Sequence, residues 1–158
     1  MAISVLKSLL DKGYKAELCM VGPDSDGSLM DVKQYAQSLN VNVSFTGKLA
    51  KHDWLKLADG YNFFINTTNF DNMPLSVIEA MAIGIPIVST NVGGIPFLIN
   101  NTVDGICVKP DNTEEMTKSI IKLFINKEFA ETLTKNARKK VENYDWQIIK
   151  QDWIKILQ

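Results

Sequence analysis

Short apolar runs alternate along this chain with segments whose apolar residues recur at helical spacing. That alternation marks strands of a parallel sheet joined by helices, because parallel neighbours need a long crossover between them. Ile3, Leu6, Leu9 and Leu10 fall at helical spacing, and Gly13 suits a stop. A buried strand is expected over 16–21, broken by Gly22-Pro23, and then a polar loop over 24–28 with Ser28 as N-cap of a helix over 29–39. The next strand covers 43–46 and ends at Gly47. A helix over 49–59 puts Trp54, Leu55 and Ala58 on one face, and a strand over 62–66 follows. Pro74 suits the first turn of a helix that runs to Ile83, with Gly84 as its C-terminal cap. Strands over 85–89 and 105–108 bracket a loop containing Gly93-Gly94. Asn112 with Glu115 forms a capping box for a helix over 113–125, and helices over 127–142 and 146–157 finish the chain. The expected fold is therefore α/β: a doubly wound parallel sheet with helices on both faces, in a single domain over 1–158. Ligands of such sheets bind beyond the carboxyl ends of the strands, so the loops to examine follow Val21, Thr46, Asn66, Ser89 and Val108.

Composition removes several function classes. A net charge of −1 with no basic block argues against a nucleic-acid surface. No apolar run approaches the ~20 residues that span a bilayer, and the first residues lack a signal-peptide layout. Cys19 and Cys107 sit inside apolar runs and read as buried strand thiols of a reducing, cytoplasmic compartment, with no metal site suggested. His52, beside Asp53 in a polar stretch, reads as a solvated helix start.

Between Asn72 and Val103 the only ionisable residue is Glu79, on a helix apolar over most of its circumference and so expected to be largely buried. A carboxylate there loses solvation and needs donors, either from the protein or from a ligand. Asp71 stands eight positions earlier, just before the helix, so both acids can face one cleft at the carboxyl edge of the sheet. Between them lies the helix start, with amides around Asn72, Met73, Leu75 and Ser76 at the positive end of the dipole. Carboxylates flanking an anion-binding helix start suit a ligand with both phosphates and hydroxyls, such as a nucleotide sugar. The same residues also allow Asp71 simply to cap the helix and Glu79 to pair with a lysine elsewhere.

The stretch Asn69-Phe70-Asp71-Asn72-Met73-Pro74-Leu75-Ser76-Val77-Ile78-Glu79-Ala80-Met81-Ala82 resembles the signature of glycosyltransferase family four, retaining transferases of the GT-B architecture. In that family two acids stand eight apart before an Ala-Met-Ala-x-Gly-x-Pro-Val run, which here is Ala80-Met81-Ala82-Ile83-Gly84-Ile85-Pro86-Ile87-Val88, followed by Asn91-Val92-Gly93-Gly94-Ile95-Pro96. Met20-Val21-Gly22-Pro23, Val43-Ser44-Phe45-Thr46-Gly47, Asp104-Gly105-Ile106-Cys107-Val108 and Asp145-Trp146 match in the same order. The resemblance implies a Rossmann-like donor-binding half that takes a UDP-, GDP- or ADP-sugar and, in a complete protein, transfers a hexosyl group to a glycan or lipid-linked acceptor. Residue by residue, it implies that Glu79 holds the ribose hydroxyls and that Asp71 lies near the donor sugar and diphosphate. It further implies that the amides around Met73, Leu75 and Ser76 hold the diphosphate or sugar, and that Gly22 and Gly47-Lys48-Leu49 border the base. No cofactor or metal is implied, because side chains and the helix dipole meet the diphosphate charge in this family. A polysaccharide pathway, and peripheral association of the full-length enzyme with the cytoplasmic face of a membrane, are consistent with it.

The sequence departs from the family pattern at three places. Asp71 is a methylene shorter than the usual glutamate, and Asn72-Met73-Pro74 replaces Gly-Phe-Gly, which removes an amide donor. The family's donor domain opens with a strand, a glycine–arginine pair and a lysine. This sequence opens past them, at the helix near Ala2, and the acceptor-binding domain is expected to lie outside it. In the family strand order 3-2-1-4-5-6, runs 15–21 and 61–66 flank the missing strand. They are expected to pair directly, or to take another segment or a second chain between them. Two other classes stay open: a non-catalytic flavodoxin-like binding module, and a sugar-nucleotide epimerase of the same architecture, against which the 80–94 run argues.

Overall fold

The computed structural model describes residues 1–157. Its elements run α1 (Ala2–Asp11), β1 (Leu18–Val21), α2 (Leu29–Ser38), β2 (Val43–Gly47), α3 (Lys51–Ala58), β3 (Phe64–Asn66), α4 (Leu75–Ile83), β4 (Ile87–Thr90), α5 (Ile95–Leu98), β5 (Ile106–Val108), α6 (Thr113–Ile125), α7 (Lys127–Glu142) and α8 (Trp146–Leu157). Every ladder is parallel, and helices alternate with strands, so the α/β class expected from the sequence is the class observed. The residues gather into two compact units. The first is Met1–Tyr61 with Asp111–Lys118, and the second is Asn62–Pro110 with the chain from Ser119 onward.

In the first unit β1 pairs with β2, Leu18 opposite Val43 and Met20 opposite Phe45. Ile3 and Leu6 of α1, Ala36 of α2 and Val41 form a buried cluster, against which Leu18, Met20, Val32 and Val43 pack. Cys19 was expected to be buried and is only half-buried. Ser28 does occupy the N-cap of α2, but its backbone is already helical and its hydroxyl donates to Asp26 at 2.7 Å. With the Ser28 amide at 3.1 Å, that bond holds the Asp26 carboxyl below its ordinary pKa. Capping passes to Asp24, whose Oδ1 accepts the Leu29 amide at 3.2 Å. The predicted capping pair is formed at α6, where Asn112 Oδ1 accepts the Glu115 amide at 3.0 Å and Asn112 Nδ2 donates to the Glu115 carboxylate at 3.0 Å.

In the second unit the strand order is β3-β4-β5, so β4 is central and all four of its residues are buried. Phe64 lies opposite Ile87, and Val88 opposite Ile106. The ladder starts at Ile87 rather than 85 because Pro86 has no N–H to give; its carbonyl still accepts the Phe64 amide at 2.9 Å. α4 packs on α7, and Val77, Ala80 and Met81 of α4 and Leu133, Ala137 and Val141 of α7 are buried. At roughly 1.5–3 kcal/mol for each large apolar side chain, this contact is a main stabiliser of the unit. α4 was expected to be largely buried, yet Leu75 and Ile83 stay exposed. A hydrophobic sequence gives no period from which to tell its solvent side. Helix α7 is further tied down by Asn126, which accepts the Phe129 amide at 3.0 Å, and by Asn136, which donates to the Val103 carbonyl at 2.8 Å. Arg138 donates to the Ala82 carbonyl at the end of α4.

Of the alternatives expected for runs 15–21 and 61–66, direct pairing is not made. Among the described residues β1 pairs with β2 alone and β3 pairs with β4 alone. Both strands are short: β1 has 4 residues and β3 has 3, which leaves few backbone groups for a further partner. The helix α5 was not anticipated; at 4 residues it is too short to show a period.

Candidate functional site

In the first unit, the turns after β1 and β2 are joined at their carboxyl ends by the Gly22 amide, which donates to the Gly47 carbonyl at 3.0 Å. Gly47 has φ +68, a left-handed value that lets the chain leave β2 sharply. Lys48 and Leu49 follow it, with Lys48 exposed and Leu49 half-buried. The structure thus brings Gly22 and Gly47 together, as the sheet-edge argument anticipates.

In the second unit, Asp71, Asn72 and Met73 lie in the loop between β3 and α4, and Leu75, Ser76 and Glu79 lie on α4. Asp71 and Glu79 are half-buried, whereas Asn72, Met73, Leu75 and Ser76 are exposed. Pro74 is one step earlier than the sequence suggested. It is the N-cap, extended at φ −66 and ψ 117, and its carbonyl accepts the Val77 and Ile78 amides at 3.1 and 3.2 Å. The restricted φ of proline suits either position, so sequence alone could not separate them. A proline cap has no side-chain acceptor, so the amides of Leu75 and Ser76 begin α4 without a cap from that residue. At the far end Gly84 takes φ +79, as expected of a left-handed cap.

The loop carrying Asp71 lies directly on the backbone of the loop after β4. The Gly94 amide donates to the Asp71 carbonyl at 2.8 Å. A Cβ added to Gly93 would sit 2.1 Å from the Asp71 carbonyl oxygen, and one added to Gly94 would sit 1.8 Å from that of Asn72. Only glycine permits such an approach. Asn66 donates to the Ser89 hydroxyl at 3.1 Å, and the Thr90 hydroxyl donates to the Thr68 carbonyl at 2.5 Å. Sequence reasoning passed over Asn66, Thr68, Ser89 and Thr90. The available signal was a pair of hydroxyl residues ending the apolar run Ile85-Pro86-Ile87-Val88, followed shortly by two glycines.

His52 is exposed in the first turn of α3, as the solvated reading holds. Among the described residues no group of three or more His, Cys, Asp and Glu side chains gathers to hold a metal, and no helix is long and apolar enough to cross a membrane. Cys107, in β5, is a free thiol pushed up to about 11, chiefly by burial and further by the nearby Asp104 carboxylate.

Parallel strands followed by a loop with Asp71, a helix with Glu79 and a loop with the double glycine agree with a comparison against known families, in which glycosyl transferases group 1 matches residues 1–140. The chain belongs to that family. Its relatives in the group include the sulfoquinovosyl transferase SQD2 of Arabidopsis thaliana, 28% identical over 150 residues, which cover 92% of this chain and 28% of that protein. The capsular polysaccharide biosynthesis glycosyltransferase CapM of Staphylococcus aureus is 29% identical over 144 residues, 89% of this chain and 37% of that protein. Among solved structures, Anabaena HepE in complex with UDP-glucose superposes with a TM-score of 0.89 at 21% identity, over 99% of this chain and 43% of that one. This group 1 chain therefore shares the fold of the matched part of HepE and spans less than half the length of each of the three. Asp71, Glu79, Gly93 and Gly94 all lie inside the part that the family matches.

Proposed function

We propose that this group 1 chain is the donor-binding part of a retaining, family-four GT-B glycosyltransferase. It takes a UDP-, GDP- or ADP-sugar, and the whole protein passes a hexosyl group to a glycan or lipid-linked acceptor. The observation that carries this reading is the start of α4. Its N-terminus has no side-chain acceptor at the cap position, and it follows directly from a loop whose Asp71 is held against Gly94. Glu79 stands four residues past Leu75, a rise of about 6 Å along the helix.

That arrangement divides the work by chemistry. The first-turn amides of Leu75 and Ser76 and the positive helix end attract phosphate oxygens. Glu79 accepts from ribose hydroxyls, and Asp71 accepts from the sugar. The dipole and amides meet the diphosphate charge without a metal or other cofactor. UDP-glucose in the HepE structure and the capsular polysaccharide role in CapM's name support a nucleotide sugar and a polysaccharide pathway. The enzyme works in the cytoplasm, and the acceptor is held by a part of the longer protein outside this chain.

The chain alone is expected to bind donor without turning it over, since holding the acceptor hydroxyl about 3 Å from the anomeric carbon supplies much of the rate. The test titrates residues 1–158 with UDP, GDP, ADP and their glucose conjugates by calorimetry, and follows nucleotide release with simple acceptors. Saturable binding of one nucleotide series without multiple turnovers is the expected result. Absence of binding across the panel would remove the donor-site reading, and sustained turnover would remove the claim that the acceptor part is required.

A further inference from the structure

The second unit invests buried polar groups in a place where apolar ones would serve stability better. Ser89 and Thr90 are fully buried at the end of β4, the central strand, after the apolar Ile87 and Val88. A buried hydroxyl is unfavourable unless it is bonded, and valine would fill the volume of threonine without that cost. Both hydroxyls have partners that lead to the same loop. Asn66, the last residue of β3, donates to Ser89, whose hydroxyl in turn donates to the Thr90 carbonyl at 3.2 Å. Thr90 donates across to the Thr68 carbonyl. The Thr68 hydroxyl donates to the Phe70 carbonyl at 2.9 Å and accepts the Phe70 amide at 3.4 Å, which tightens the turn immediately before Asp71. The Gly94 amide then holds the Asp71 carbonyl, and the two glycines leave no room for a side chain between the loops.

These bonds form a continuous brace from the end of β4 to the backbone of Asp71 and Asn72, and none of them uses the Asp71 carboxylate. We propose that Thr90, Thr68 and the Gly93-Gly94 pair are positioning residues. They fix the 67–74 loop so that the Asp71 carboxylate and the first amides of α4 meet the donor already aligned. The inference rests on the donor-binding reading above. Its physical basis is preorganisation: a loop ordered in advance does not spend binding energy on being ordered. The brace also bears on the departures of this chain from its family pattern. With glycines absent at Asn72-Met73-Pro74, the loop is held from outside rather than shaped by its own flexible residues.

The experiment uses the full chain and compares Thr90→Val, Thr90→Ser and Thr68→Val with wild type. Nucleotide affinity is measured by calorimetry, amide exchange by mass spectrometry over 67–74 and at Gly94, and stability by thermal melting. Thr90→Val keeps the volume and loses the donor, whereas Thr90→Ser keeps the donor. Thr68 is only half-buried, so Thr68→Val is a second probe that does not depend on Thr90→Val folding. Thr90→Val and Thr68→Val are expected to speed exchange in the loop and weaken binding of the nucleotide series by about tenfold, the size of one neutral hydrogen bond. Thr90→Ser should restore both to near wild type. Wild-type chain that binds a nucleotide, with both valine variants matching it in affinity and exchange, would overturn the brace alone. Wild-type chain that binds none of the nucleotides would remove the donor-binding reading, and the inference with it.

Discussion

Replacing Lys140 with methionine should destabilise the second unit more than any surface charge change in this chain. Asp104 lies in the turn before β5 with 4% of its surface exposed, and Lys140 of α7 reaches it at 2.9 Å. The other carboxylate oxygen accepts the Asn100 amide at 2.7 Å. At 2.9 Å the pair attracts by about 6 kcal/mol with an effective dielectric near 20, an attraction that offsets the cost of dehydrating the carboxylate. Lys140→Met removes the partner and leaves that cost standing. Breaking a buried pair costs about 3–5 kcal/mol, and the partial exposure of Lys140 points to the lower end, about 3. A loss of that size is a large share of the ~5–15 kcal/mol that holds a domain together. The i,i+4 pairs Lys7–Asp11, Lys118–Glu114 and Arg138–Glu142 are solvent-exposed and screened by water and salt, so breaking any of them should matter far less. The assay is urea denaturation of wild type, Lys140→Met, Asp104→Asn and the double variant. Asp104→Asn keeps an oxygen for the Asn100 amide and drops the charge. The double variant should therefore cost less than the sum of the two single changes by at least about 1 kcal/mol. Single costs that simply add, or a Lys140→Met within about 0.5 kcal/mol of wild type, would refute the reasoning.

Glu79→Gln should weaken nucleoside-diphosphate binding by about 10- to 150-fold with the fold retained, because it removes charge-assisted bonds to the ligand worth about 1.5–3 kcal/mol. Calorimetry giving equal affinity would sink the ribose assignment. Cys107 gives a pH prediction. Its thiol stays neutral to about 11 in the fold and ionises near 9.0 without it, so its contribution is intact below 9 and fades as pH rises toward 11. Wild type should therefore lose stability more steeply over that window than Cys107→Ala, and parallel denaturation curves would contradict the shift.

Much of the framework is written locally. The left-handed Gly84 cap, the Asn112–Glu115 pair and the limits of α7 and α8 follow from residues within a few positions of one another, and the structure reproduces them. The ends of strands were less legible, because a strand ends where its partner stops offering bonds. Run 85–89 yielded to β4 at Ile87–Thr90, where Ile87 stands opposite Phe64 and Pro86 before it has no N–H to give. Ser28 shows the same limit on a smaller scale: the sequence places a good cap residue, and the fold gives the bond to Asp24.

At the candidate site, the sequence by itself determined which residues carry charge and placed the start of α4 to within one residue. Asp71 and Glu79 are read directly from their order in the chain, whereas it is the structure that makes Pro74 the N-cap and so leaves the first amides of α4 without a side-chain cap. Only the tertiary structure decided what holds them. Thr90 and Thr68 are 22 positions apart, and Gly94 meets Asp71 across 23 residues, so no local pattern ties one to the other. The parallel ladder of β3 on β4 brings the two loop starts side by side, and two residues without side chains let the backbones touch. Chemical identity is fixed residue by residue, but alignment depends on contacts that exist only after the sheet has formed.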